Sequence, residues 1–449
     1  MIRRISVYVI LVLTAAILLA ACSPNDSISG AAGFQVQSSD SVKLTVEGAS
    51  FSTLLEGPVL FTPTPSPPPT ATAFPANTPM PQATIPMSRL QHIQPETPPL
   101  AAEVDIVVGG MRTPVTVVIA PDGRLFYTEK ETGNVRVVVD GVILPEPVLT
   151  VPVSTGGEQG LLGIVLDPDF ESNHHIWVSY TTQREANDGV KENRIIRFTE
   201  VNNLATDVVE AYNSPNSTDD ATHNLNNMVF GPDGMLYVTI GDDSQSHLAQ
   251  HLGDPRGKIH RFLSTIPLSV PSDNPFYDGD GPNEDSIYAY GLRNSFDFTF
   301  DPLAQETHIL ATENGPDCDD EVNLILSGHN YGWRERYDCE DPHRTLPEAN
   351  TNPPMLSWEG TSSPTGIIVY TGDDFPEWYG NVFFCSYVDG LLHRLELNRE
   401  RDAFRNHKSI DGLSCQTDIL NGPDGSIYFL EGGGFGEGTL KRLYNANRQ

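Results

Sequence analysis

The stretch Ala221 to Asp243, ATHNLNNMVFGPDGMLYVTIGDD, decides how this chain is read. A polar segment containing His223 leads into a strand at Met228 to Phe230. A Gly-Pro-Asp-Gly turn and a second strand, Met235 to Ile240, follow, and the run ends in Gly241-Asp242-Asp243. In a tight antiparallel hairpin, the entrance of one strand and the exit of the next lie at the same end. An imidazole and two carboxylates are therefore expected to share one site.

Working outward, the phrase "apolar, Pro-Asp-Gly, apolar alternation" recurs. It stands as IAPDGRLFYTE (Ile119 to Glu129), FGPDGMLYVTIGD (Phe230 to Asp242) and NGPDGSIYFLEGG (Asn421 to Gly433). Degenerate copies occur at Leu166 to Thr181, Phe300 to Gly315 and Phe375 to Gly390. Strands ending in charge, such as NVRVVVDG and RIIRFTEV, follow several copies. The closest copies are spaced like four-stranded propeller blades, at about 45 residues. Six copies predict an all-β, six-bladed β-propeller of four-stranded antiparallel blades over residues 101–449, nearly free of helix. A pair of β-sandwiches is the alternative, but it does not account for six copies.

The remaining sequence reads as delivery and support. Arg3 and Arg4 precede an apolar run, Val7 to Ala21, too short to span a bilayer comfortably and built like the core of a signal peptide. Leu19-Ala20-Ala21-Cys22 resembles a bacterial lipobox, which predicts a lipoprotein signal over residues 1–21 and lipidation of Cys22. An ordinary signal peptide is the alternative. Residues 22–100, Ser-rich and then dominated by Pro, Thr and Ser, lack the apolar content to offset their ordering entropy and read as a disordered stalk. The expected location is extracytoplasmic, lipid-anchored to the outer face of a bacterial membrane, with no spanning helix.

Composition narrows the partners. Of 449 residues, 39% are hydrophobic, enough for a large core. Fifty-nine acidic residues against 27 basic ones give a formal charge of −32, which repels nucleic acid and argues against binding it. Apart from Cys22, four cysteines remain, an even number suited to an oxidising compartment. The expected pairs are Cys318–Cys339 and Cys385–Cys415, each in neighbouring loops or strands of the propeller. Their spacings are not those of zinc ligands.

A propeller names no chemistry by itself. One mouth of its channel, however, is expected to collect His223, Asp242 and Asp243, then Arg293-Asn294, then Gly315 to Glu321 (GPDCDDE), together with Gly157 to Gly163 (GEQGLLG). Five ordered motifs, GEQGLLGIVLDPDF, HNLNNMVFGPDGMLYVTIGD, GKIHRF, IYAYGLRNSFDFTFDP and ENGPDCDDEVNLILSGHNYGW, resemble those of the soluble pyrroloquinoline quinone (PQQ)-dependent glucose, aldose and sorbosone dehydrogenases. They are similar to the hedgehog-interacting-protein branch as well. The resemblance covers about residues 103–445.

The resemblance implies roles position by position. His223 stands at the general base that takes a proton from a sugar or alcohol hydroxyl, a task that suits imidazole near neutrality. Asp242 stands at the carboxylate that orients it. Arg293 and Asn294 match the pair lying against the quinone carbonyl, where a guanidinium favours developing negative charge. Glu158, Gln159 and Asn314 fall among the expected cofactor contacts. Gly315 and Pro316 match backbone carbonyls that hold a calcium ion, with Asp319, Asp320 and Glu321 supplying the oxygen density calcium prefers. The implied activity is PQQ- and calcium-dependent oxidation of a sugar or alcohol. No Cys-x-x-Cys-His haem motif is present, so an external electron acceptor is expected.

Departures from the family pattern fall in one place. A lysine and an Arg-x-Arg-Asp run that neutralise the quinone's carboxylates are replaced by Val388, Cys415 and Thr417, leaving only Asp418. The glutamine of the first loop is Glu158. Burying carboxylates without cationic partners is costly. A second reading follows, a cofactor-free, calcium-bearing propeller that binds a glycan or protein at the cell surface.

Overall fold

The computed structural model describes residues 43–46, 49–52, 93–183, 191–217, 222–279, 285–334 and 351–448. The predicted signal peptide and Cys22 lie outside the described residues. Of the predicted stalk, a two-stranded hairpin pairs Lys43–Val46 with Ala49–Ser52. This hairpin belongs to a unit of residues 1–82, separate from the unit of residues 83–449.

In the second unit six antiparallel sheets follow one another, each opening on a strand that lines the axis. These inner strands are Pro114–Ile119, Leu161–Leu166, Leu225–Phe230, Ser295–Phe300, Pro364–Val369 and Ile419–Asn421, which define blades 1 to 6. Each inner strand touches the next, and the last touches the first, so the ring closes. The six repeated phrases fall on the turns between the first and second strands of the six blades. Among the described residues the only α-helix is the four-residue turn Phe170–Asn173.

Alternation along the strands produces the ring's cores. In blade 3, Leu236 and Val238 pack with Trp177 and Ile195 of blade 2, whereas Tyr237 and Ile259 pack with Phe298 and Ala311 of blade 4. Both faces of a blade are therefore buried, which explains why its strands read as nearly continuous apolar runs. Every adjacent pair of blades shares such a cluster, including Tyr127 and Val138 of blade 1 with Leu430 and Leu440 of blade 6.

Closure depends on a segment remote in sequence. Ala102–Arg112 pairs antiparallel with Glu437–Asn445 and becomes the fourth strand of blade 6. Gln94–Glu96, counted with the stalk in the sequence reading, instead adds parallel to the outer strand Phe404–Ser414 of blade 5. There Glu96 pairs with Arg394. The expected disulfide Cys385–Cys415 is formed, with a Cα–Cα distance of 4.9 Å. Cys318 is also disulfide-bonded, and its expected partner Cys339 lies outside the described residues.

Candidate functional site

The blade 3 hairpin brings its histidine and first aspartate together as expected. The pair Leu225↔Ile240 sets the register at the open end. The Gly241 N–H then bonds the Asn224 carbonyl at 2.9 Å, and Asp243 N bonds the His223 carbonyl at 3.2 Å. His223 has a left-handed φ of 52°, and a Cβ at position 241 would stand 2.5–2.8 Å from its backbone. Glycine at 241 is what lets the two loops approach.

The His223 Nδ1 lies 2.6 Å from Asp242 Oδ1, with both side chains buried. An ionised carboxylate only accepts, so in the neutral form of this imidazole the hydrogen belongs on Nδ1 and the lone pair on Nε2. Asp242 is itself fixed, because the Ser244 N–H bonds Oδ1 at 2.9 Å and the Trp333 indole N–H bonds Oδ2 at 2.6 Å. The sequence reading gave Trp333 no role. Asp243 has a different task, as an ion-pair partner of Arg256 at 3.4 Å.

Two neighbouring loops converge on this pair. Glu158 accepts the His223 backbone N–H at 2.7 Å and the Asn294 amide at 3.3 Å, which ties blade 2 to blades 3 and 4. Gln159 is buried beside it. The Arg293 carbonyl accepts the Asp242 N–H at 2.7 Å. The Arg293 guanidinium donates to the Asn314 carbonyl at 2.8 Å and lies 5.6 Å from the Trp333 ring centroid. His223, Asp242, Glu158, Arg293 and Asn294 thus form one connected cluster.

Beneath Arg293 is a carboxylate that the motif reading also passed over. Glu313 ends the second strand of blade 4, as Asp242 follows that of blade 3. It accepts the backbone N–H groups of Arg293 and Asn294 at 2.7 and 2.6 Å and the Ser295 hydroxyl. Burial pushes its carboxyl up to about 7. Its cross-strand partner Glu321 is raised well above the usual range, first by burial and then by the charges of Glu313, Asp319 and Asp320. Asp320 accepts three backbone N–H groups, from Gly315 at 2.8 Å and from Ser362 and Ser363 at 2.6 Å each. It shapes the loop more than it faces the cavity.

That cavity is lined by Arg293, Glu313, Gly315, Pro316, Asp319 and Glu321. The lining carboxylates offer hard oxygens, the donor type that calcium prefers. Among the described residues no three His, Cys, Asp or Glu side chains converge on one point.

Among the described residues, some buried polar atoms beside the cluster have no partner. Asn224 is 1% exposed, yet neither its amide nitrogen nor its oxygen is satisfied, and the Asn314 side-chain oxygen is likewise unmet. Such atoms are rare in folded proteins and costly when left dry. The positions of the expected cationic cradle hold none. Val388 is 61% exposed, Cys415 is in its disulfide, and Thr417 bonds the Gly432 carbonyl at 3.3 Å.

Comparison with known proteins identifies the family. Residues 111–442 match the glucose/sorbosone dehydrogenase family model. Aldose sugar dehydrogenase YliI of Escherichia coli is 27% identical over 350 residues, 76% of this chain and 92% of that protein. Quinoprotein glucose dehydrogenase B of Acinetobacter calcoaceticus is 31% identical over 254 residues, 51% of each. The crystal structure of the apo-form soluble aldose sugar dehydrogenase from E. coli superposes with a TM-score of 0.66 at 26% identity, covering 77% of this chain and 99% of that one. With the match spanning all six blades, the chain belongs to the glucose/sorbosone dehydrogenase family.

Proposed function

We propose that this protein is a PQQ- and calcium-dependent dehydrogenase that oxidises a hydroxyl of a sugar, with His223 as the general base. The observation that carries the reading is the His223–Asp242 pair, with Nδ1 committed to the carboxylate and Nε2 free, set within one cluster with Arg293. A module that only binds has no use for a base, its orienting carboxylate and a facing cation. Family membership and the quinoprotein relative support the same reading.

Arg293, Asn294, Gln159 and Asn314 would hold the quinone, and the carbonyls of Gly315 and Pro316 with Glu321 would hold calcium. When bound, PQQ supplies the acceptor for the hydride leaving the substrate carbon. The protein's own part is the proton. Nε2 of His223 accepts it from the substrate hydroxyl, and Asp242 keeps the ring in the required tautomer and stabilises the imidazolium. Trp333 and the Ser244 N–H prevent the carboxylate from turning away. Glu158, by accepting the His223 N–H, fixes the backbone that carries the ring. An external acceptor would be needed to take up the electrons. Lipidation of Cys22 would hold the protein on the outer face of a bacterial membrane.

The test is titration of the purified protein with PQQ in the presence of calcium, followed by dye-reduction assays on a panel of sugars and alcohols. Binding at micromolar concentrations with sugar-dependent dye reduction is expected. No quinone binding would defeat the reading and leave the cofactor-free glycan- or protein-binding propeller in its place.

A further inference from the structure

We propose that Lys130, backed by the ring of Phe435, binds a carboxylate of the cofactor and takes over the work of the cationic cradle absent at Val388, Cys415 and Thr417. The inference rests on the PQQ reading above, but it concerns residues that no motif assigned.

Lys130 follows the second strand of blade 1, Leu125–Glu129, at the position Asp242 and Glu313 approach in blades 3 and 4. Its side chain is on the same rim as the catalytic pair. The ammonium donates to the Gly157 carbonyl at 2.7 Å, and the next residue, Glu158, receives the His223 N–H. Lys130 is only 3% exposed, yet among the described residues no carboxylate forms an ion pair with it. By contrast, Arg256, a buried arginine near the site, is paired with Asp254 at 2.7 Å and with Asp243. Burial lowers the Lys130 pKa, and the charges of Glu131 and Glu158 oppose that shift without closing on the ammonium. Lys258 is also buried, but its ammonium is satisfied by the carbonyls of Leu248, Ala249 and Arg256; among the described residues Lys130 meets one carbonyl and a ring, which leaves N–H donors for an anion.

Phe435 makes that anion a planar one. It projects from the loop Gly432-Gly433-Gly434, where all three glycines have positive φ. The Gly434 N–H is bonded to the Pro114 carbonyl at 2.8 Å, and a Cβ at Gly433 would lie 2.4 Å from that oxygen. Blade 1 thereby fixes the loop. The Phe435 ring lies 4.0 Å from the Lys130 ammonium, meets Tyr387 edge-on at 5.9 Å, and remains 55% exposed. A cation against an aromatic ring with surface to spare suits an aromatic carboxylate. Arg293 against Trp333 repeats the pairing elsewhere in the site.

The test is PQQ affinity, measured by calorimetry with calcium present, for the full chain and for Lys130→Gln, Lys130→Arg and Phe435→Ala. Lys130→Gln should weaken binding by about tenfold or more and flatten its salt dependence, whereas Lys130→Arg should stay within about threefold of wild type. Phe435→Ala, at an exposed site, should weaken binding about three- to tenfold. If wild type binds and both Lys130→Gln and Phe435→Ala bind equally well, this inference fails while the family reading stands. If wild type does not bind, both fail. Should Lys130→Gln not fold, Phe435→Ala with unchanged affinity is enough to overturn the assignment.

Discussion

Trp333 donates its indole N–H to Oδ2 of Asp242 at 2.6 Å while His223 occupies Oδ1 at the same distance. The carboxylate is held on both sides by residues 19 and 91 positions away. The imidazole therefore inherits its orientation from two loops. Removing the indole donor with Trp333→Phe leaves one carboxylate oxygen short of a charge-assisted bond. The expected result is a kcat lowered by about tenfold with KM within about twofold of wild type. Steady-state kinetics decide this, and an unchanged kcat would show the indole to be idle.

Gly241 is the hinge of the same arrangement. A methyl group there meets the His223 backbone at 2.5–2.8 Å, so Gly241→Ala must push the histidine loop outward. A loss of about 1–3 kcal/mol in stability is expected, together with an activity loss larger than the fraction unfolded explains. Thermal melting and kinetics on the same preparation separate the two effects.

The Cys385–Cys415 bond closes a loop with a sequence separation of 30 between the second strand of blade 5 and the entry to blade 6. Replacing both cysteines by serine should cost about 3 kcal/mol through the freedom restored to the unfolded chain. The melting temperature should fall by several degrees and become insensitive to reductant at this site. A variant melting with wild type would mean that the bond is not what holds these blades.

On the axis, Asp297 and Asp418 line one cavity. Burial raises both carboxyls, and the charge of Asp297 raises Asp418 further. The folded chain then keeps protons that the unfolded chain, titrating near 3.8, has released. Where the native state binds more protons, stability falls as pH rises. Asp418→Asn removes one of the charges at the expense of an acceptor for the Val117 N–H. Its stability relative to wild type should therefore improve by roughly 1 kcal/mol or more between about pH 4 and pH 7. Melting curves at several pH values test this, and a flat difference would contradict the coupling.

What the sequence made legible follows from how local each signal is. Six Pro-Asp-Gly-like phrases mark six hairpin turns, because turn chemistry and alternation act within about ten residues. His223 and Asp242 were readable for the same reason. Ala102–Arg112 was not readable as the closing strand, since its partner Glu437–Asn445 lies at the other end of the chain. Trp333 belongs to no periodic pattern, and Lys130, at a strand end among charged residues, resembles an ordinary solvated lysine until its burial is seen. Glu313 had a usable signal. Aligned by repeat, TEN in blade 4 falls where TIGD falls in blade 3, so a carboxylate there could have been expected to organise the preceding loop.

The central claim is that His223 is a working base beside a bound quinone. Its most direct test compares wild type with His223→Ala, each loaded with PQQ and calcium, measuring quinone affinity and sugar-dependent dye reduction on the same samples. In the variant, turnover should fall by about 10²–10⁴-fold, with quinone affinity within about threefold of wild type. Undiminished turnover, or loss of quinone binding in place of turnover, would contradict it.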